Sequence, residues 1–250
     1  MSIYFSYLYS LIIIAGLEIS LIKPSFFSIA GALTLLSNVF FVWLAVRAKF
    51  NISFFNFLIS PFLFLLGGLI FLGFSNSWLI KELVIIFLVI ANTIFLHRLI
   101  TFSYHKYKYK NHSLSNISRI INLTSIFFWF NGFFDLQAFL KIPIWFLMLT
   151  ACLVVYLIIY QYYSISKIKF TSSKLFILVS TFLILELFYI IGWLPLISSA
   201  KAILITSAYY FISGLSRHYI QATLAKSVYF RYSLITALIW FLVLISARWE

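Results

Sequence analysis

An all-α bundle of about nine transmembrane helices is the fold that this sequence predicts, and three observations predict it. Of 250 residues, 64% are hydrophobic and only 9% charged, where a soluble domain carries about a quarter charged residues. The mean hydropathy is +1.09, so lipid has to be the solvent for most of the surface. The apolar residues fall in runs of ~20, the length that crosses a bilayer core, with short polar turns between them. The chain, 1–250, reads as a single transmembrane domain with no room for a sizeable soluble one.

The spans follow in order. The first is expected at 3–22, ending at Lys23-Pro24. With no basic leader and no small-residue cleavage site, it reads as a retained helix. The second is 26–46, ending at Arg47-Ala-Lys49. The third, 52–74, contains Pro61 and Gly67-Gly68, where a kink is expected because proline removes a helix hydrogen bond. The fourth is 78–100, opening on Lys81-Glu82 and ending at His97-Arg98. The polar loop Tyr104 to His112 separates it from the fifth, 117–135, which closes at Asp135. The sixth is 142–163 and the seventh 175–194, with Lys167, Lys169 and Lys174 between them. The eighth is 199–216, ending at Arg217-His218. Lys226 to Arg231 fall in the next loop, and the ninth span is 232–249. Short connections imply sequential antiparallel neighbours.

Charge sets the expected orientation. With the N-terminus cytoplasmic, 13 basic residues lie inside: Arg47, Lys49, Arg98, Lys106, Lys108, Lys110, Arg119, Lys167, Lys169, Lys174, Arg217, Lys226 and Arg231. Five lie outside: Lys23, Lys81, Lys141, Lys201 and Arg248. That bias in short loops is the positive-inside signal, and nine spans then put the C-terminus outside. The net charge of +13 is therefore topological, and no nucleic-acid partner is expected. Six of the tryptophans, Trp43, Trp78, Trp145, Trp193, Trp240 and Trp249, lie in or near span ends, as interfacial belts do.

The outside lysines Lys23, Lys81, Lys141 and Lys201 recur at intervals of 58, 60 and 60. Gly16, Gly73, Gly132 and Gly192 precede them by 7 to 9 residues. A helical hairpin used four times, with a ninth helix added, accounts for the period. Two spans with two turns occupy about that length in any case.

The same hairpins hold the acidic residues. Glu18 stands before Lys23, Lys81 beside Glu82, Asp135 before Lys141, and Glu186 before Lys201, which uses four of the five carboxylates. Glu18, Glu82 and Asp135 sit near outer helix ends, where charge costs little and lysines snorkel; solvated or structural ion pairs are the plain reading. Glu186 reads as halfway along its span. There an ionised carboxylate costs ~3 kcal/mol or more, so a partner or a water cavity is expected, with Lys201 the candidate at the mouth. An interhelical hydrogen bond is the structural alternative. Asn38, Asn92 and Asn131 are the neutral polar groups that can reach the interior.

On the inner side, Arg98, Arg119 and Arg217 offer guanidinium forks that suit the phosphates of anionic lipid head groups, although topology signalling alone also explains them. Lys106, Lys108 and Lys110 alternate with Tyr107 and Tyr109, a pattern that fits a head-group surface. The single cysteine, Cys152, reads as a small buried residue, and no multi-cysteine site is possible. The four histidines lack metal-site spacing, and no Gly-rich phosphate loop or nucleophile elbow is present. No metal and no cofactor are expected.

Pro61-Phe-Leu-Phe-Leu-Leu-Gly67, Tyr209-Tyr210 with Gly214-Leu215 and His218, and the closing Ser246-Ala-Arg-Trp249 resemble uncharacterised multi-pass membrane proteins of small-genome bacteria. The resemblance covers the third span and the last two. It implies a bacterial inner-membrane setting and no chemistry.

Three function classes remain. The first is a small-solute or ion carrier or channel, with an outward-opening polar site built from Glu186, Lys201, Glu82, Asp135 and Glu18; transporters place sites at repeat interfaces. The second is a membrane-embedded enzyme acting on a lipid or lipid-linked substrate through the same carboxylates, against which the missing motif counts. The third is a scaffold or subunit that packs against other proteins.

Overall fold

The computed structural model describes residues 4–22, 24–47, 52–104, 107, 109, 113–166, 168 and 170–246. Among these the chain forms nine α-helices and no strand. They are α1 (Tyr4–Ile22), α2 (Phe27–Ala45), α3 (Ile52–Phe74), α4 (Trp78–Tyr104), α5 (Ser113–Leu140), α6 (Ile144–Ile165), α7 (Phe170–Gly192), α8 (Ser198–Ile220) and α9 (Lys226–Ser246), with a 3-10 turn at Pro24–Phe26 before α2. The chain is an all-α, multi-pass membrane protein. Seven helices are long and apolar enough to cross a bilayer: α1, α2, α3, α4, α6, α7 and α9. At 28 and 23 residues, α5 and α8 have the length but are more polar. They carry Arg119, Asn122, Asn131, Asp135, Lys201, Arg217 and His218.

Two boundaries that bear on charged residues differ from the expected ones. The helix expected at 117–135 runs five residues further, to Leu140. Asp135 is therefore inside a helix and not its last residue. The ninth helix begins at Lys226, six residues early, so Lys226 and Arg231 are helical and not in a loop. Lysine and arginine are good helix formers whose stems lie along apolar surface. α3 runs from Ile52 to Phe74 with Pro61 inside it, and Gly68 serves close packing. A Cβ on Gly68 would come within 2.6 Å of Leu88 on α4.

The chain divides into two compact units, Met1–Ser125 and Ile126–Glu250, with the boundary inside α5. In unit 1, α1 packs on α2 and α4, α2 on α3 and α4, and α3 on α4. Small residues bring the backbones together, as is usual where lipid removes the hydrophobic drive between helices. Gly16 of α1 lies against Thr34 of α2, and Gly31 of α2 against Leu69 of α3. The first half of α5 joins α3 through polar groups, since Ser60 bonds Asn122 and faces Ser118. Arg47 closes the other end of the unit, donating from Nε and Nη2 to the Ser103 carbonyl at 3.1 and 2.6 Å.

In unit 2, α6, α7, α8 and α9 pack in sequence. Within α5 the stretch Phe128 to Phe134 is buried on every side. An all-round apolar segment of this kind belongs in a core. Phe130, Phe133 and Phe134 stack around Phe188 of α7 at centroid distances of 5.2, 6.0 and 5.1 Å. α9 has one buried residue, Tyr232. Gly214 of α8 makes room for its ring.

In each unit the short α1/α2, α3/α4, α5/α6 and α7/α8 turns define a hairpin end, and the carboxylates lie near it. Lys23, Lys49, Lys106, Lys108, Lys110, Lys167, Lys169, Arg248, Trp249 and Glu250 lie outside the described residues. The expected Glu18–Lys23 pair and the basic run around Lys108 fall there.

Candidate functional site

The site residues read from the sequence gather in two places, one in each unit. In unit 1, Glu18 is four residues from the end of α1 and Glu82 is four residues into α4, about 6 Å of helix in each case. Their carboxyl groups lie close to each other. Lys81 does not complete an ion pair with Glu82, because neighbouring residues on a helix point about 100° apart.

In unit 2, the site is built where α5 ends and α8 begins. Asp135 is half-buried. Asn131, one turn earlier on α5 and buried, donates from Nδ2 to Asp135 Oδ2 at 2.6 Å. Ser198, the first residue of α8, lies beside the same carboxylate. Lys201 stands one turn further along α8. Its ammonium donates to the carbonyl of Gly192, the last residue of α7, at 3.0 Å. It also lies 5.4 Å from the Phe134 ring centroid. Lysine thereby satisfies a carbonyl that the helix end leaves open. Asp135 and Lys201 thus share one ledge. Among the described residues, each is held by neutral partners and not by the other.

The remaining expected pairs are not formed. Lys141, expected beside Asp135, follows α5 in the left-handed conformation (φ 52°) and is exposed. Glu186, expected halfway along its helix and next to Lys201, is 17th of the 23 residues of α7. It lies about 9 Å of helix from Gly192. Its side chain is exposed, on the same face as Val179, Phe182 and Tyr189. Lys201 turns to the Gly192 carbonyl instead. The seventh helix starts and stops earlier than expected, which moves Glu186 toward the hairpin end.

Sequence reasoning missed Ser198, which looked like part of a turn. The available signal was a hydroxyl at the start of a helix opposite a carboxylate. Asn131 was legible as an interior polar group, and its i, i+4 spacing to Asp135 is the one that brings side chains together on a helix.

At the opposite end, Arg98 is exposed, Arg119 is half-buried with partners of its own, and Arg217 places its guanidinium 5.8 Å from the Tyr162 centroid. A cleft of about 210 Å³ opens between the ends of α6 and α7, lined by Tyr160, Tyr163, Ser164, Ile168 and Ser173. Cys152 is half-buried and unpaired by any disulfide. Among the described residues, no three His, Cys, Asp or Glu side chains gather closely enough to hold a metal ion.

No protein-family model matches the chain, and no curated protein or solved structure matches it.

Proposed function

We propose that the chain is a carrier or channel for a small cation or a cationic solute in a bacterial inner membrane, with its polar site at the hairpin ends. One observation carries this reading. The Asp135 carboxylate is held by the Asn131 amide with Ser198 beside it, yet no cation neutralises it among the described residues. A carboxylate held in a membrane protein by neutral donors can take a cation or a proton and release it again. A permanent ion pair would forgo that exchange. The two neighbouring carboxyl groups of Glu18 and Glu82 support the same reading from unit 1.

The test uses the purified chain in liposomes carrying internal dyes for H+, Na+ or K+ under an inside-negative potential. Flux of at least one ion above empty liposomes is expected. Asp135→Asn should lower it about tenfold, the effect of roughly 1.4 kcal/mol at the limiting step. No flux of any of the three, with the protein shown to be folded, would sink the cation reading.

The proposed topology has the hairpin ends outside and the arginine ends in the cytoplasm, where Arg98, Arg119 and Arg217 meet anionic lipid. In a Cys152→Ser background, a cysteine replacing Lys141 should react with an impermeant maleimide added to intact cells. One replacing Tyr107 should react only after lysis. Equal labelling of the two in intact cells would overturn the orientation.

A structural subunit is the second reading, and exposed Glu186 favours it. An ionisable group on an outward helix face gains from a covering polar partner.

A further inference from the structure

The middle of unit 1 carries a polar level outside the proposed site. Tyr9, Asn38 and Asn92 come from α1, α2 and α4 and are at most 1% exposed. Tyr9 and Asn38 are hydrogen-bonded, Asn38 Nδ2 donating to the Tyr9 hydroxyl oxygen, so they share one height. Asn92 reaches the same height by helix geometry. α1 packs on antiparallel α4 with Glu18 near Glu82, which sets their register. Tyr9 is nine residues back from Glu18, and Asn92 ten residues on from Glu82, ~13.5 and ~15 Å of helix. Asn92 also lies on the buried stripe of α4 with Ile85, Leu88, Phe95 and Leu99, facing into the unit.

The hydrogen-bond inventory at this level does not close within the protein. Asn92 spends one N–H on the Leu88 carbonyl at 2.8 Å. Its Oδ1 and the Oδ1 of Asn38 are both buried with no partner. Tyr9 accepts from Asn38 and still has its own O–H to donate. Turning the Asn38 amide over changes which atom is left unpaired, but one is left in either case. Buried polar groups are otherwise almost always hydrogen-bonded.

We propose that Tyr9, Asn38 and Asn92 bind one water molecule in the interior of unit 1. Water carries two donors and accepts well, which matches two amide oxygens and one phenolic O–H. Buried waters are found at polar sites with two to four such partners. A metal cation fits less well. The nearest carboxylates along these helices, Glu18 and Glu82, lie more than a dozen ångströms toward the hairpin end by the same helix rise. A cation at this level would have no counter-charge. This inference does not depend on the carrier reading, because it requires only that the core of unit 1 be hydrated at one point.

Prompt hydroxyl-radical labelling by synchrotron pulse, read by mass spectrometry on the detergent-solubilised full chain, tests it. Radicals form at the water itself, so buried Tyr9 should be oxidised. After correction for intrinsic reactivity, buried Phe64 and Phe95 should not be. Asn92→Leu, similar in size and without an acceptor, should abolish the Tyr9 label while leaving that of exposed Tyr107 unchanged. An unlabelled Tyr9 in the wild-type chain overturns the proposal whether or not the variant folds. So does a Tyr9 label that persists in folded Asn92→Leu, because the label would then come from opening of the unit.

Discussion

Replacing Phe188 with alanine should destabilise unit 2 by about 3 kcal/mol, the low end of the range for large-to-small changes at a buried aromatic. Phe188 is fully buried and touches three rings of α5. In a lipid-solvated protein, moving a phenyl ring from lipid to protein gains little, because both surroundings are apolar. The loss is therefore the cavity and the dispersion contacts that the neighbouring rings forfeit, with roughly 0.5–1.5 kcal/mol for each good aromatic pair. Phe188→Leu should recover about half of the loss. Phe182→Ala, on the exposed face of the same helix, should stay within about 0.5 kcal/mol. Reversible unfolding in mixed detergent micelles measures all three. If Phe182→Ala and Phe188→Ala cost the same, the α5–α7 ring cluster is not what holds this part of the unit. The same substitution should also reach the polar ledge. Phe134, which leans on Phe188, carries Lys201 over its face and precedes Asp135. Ion flux should therefore fall in Phe188→Ala even though no polar group has been touched.

The helices were legible because lipid imposes a coarse rule. A segment of about 20 apolar residues must satisfy its own backbone hydrogen bonds, and a helix does that. The rule locates elements and leaves their ends loose. Lys226 and Arg231 looked like loop residues by charge alone, although a helix can begin among basic residues that snorkel to the interface. The same looseness misplaced Glu186. A few residues' shift in the ends of α7 moved it from the supposed midpoint to within two turns of the hairpin end, and helix phase then set it outward. Phase is what hydropathy cannot supply in these helices, since they are apolar on nearly every side. The polar ledge was half legible for the same reason. Asp135 and Lys201 stood out as rare charges, and Asn131 followed from its spacing. Ser198 needed the packing of α8 against its neighbours. The water level was less legible still. Asn38 and Asn92 were visible as interior candidates, but the bond from Asn38 to Tyr9 joins residues 29 apart in sequence and has no local signature.

Gly214→Leu should release α9 while the rest of unit 2 stays folded. α9 buries one residue, Tyr232, and a polar tie runs from the Trp240 Nε1 donor to Ser207 Oγ at 2.9 Å. Even a Cβ at residue 214 would overlap the body of the Tyr232 ring. That ring is wedged beside Tyr210 and His218, at centroid distances of 4.9 and 6.0 Å, and cannot swing aside as a flexible chain end would. Overpacking typically costs 1–3 kcal/mol, and a leucine adds three further carbons. Beyond Tyr232, Trp240 and the Phe211–Tyr229 ring contact at 6.5 Å, the apolar surface of α9 is as well solvated by lipid as by protein. Detachment is therefore cheaper than distortion of α8. In a Cys152→Ser chain, cysteines replacing Ser207 and Trp240 should be joined by a short bifunctional thiol reagent. Adding Gly214→Leu should remove the cross-link without lowering the yield of folded protein. Gly214→Ala should weaken it partially. A cross-link of full strength in Gly214→Leu would mean that α9 is held by contacts other than the Tyr232 wedge, and the hierarchy of helix contacts in unit 2 would have to be redrawn.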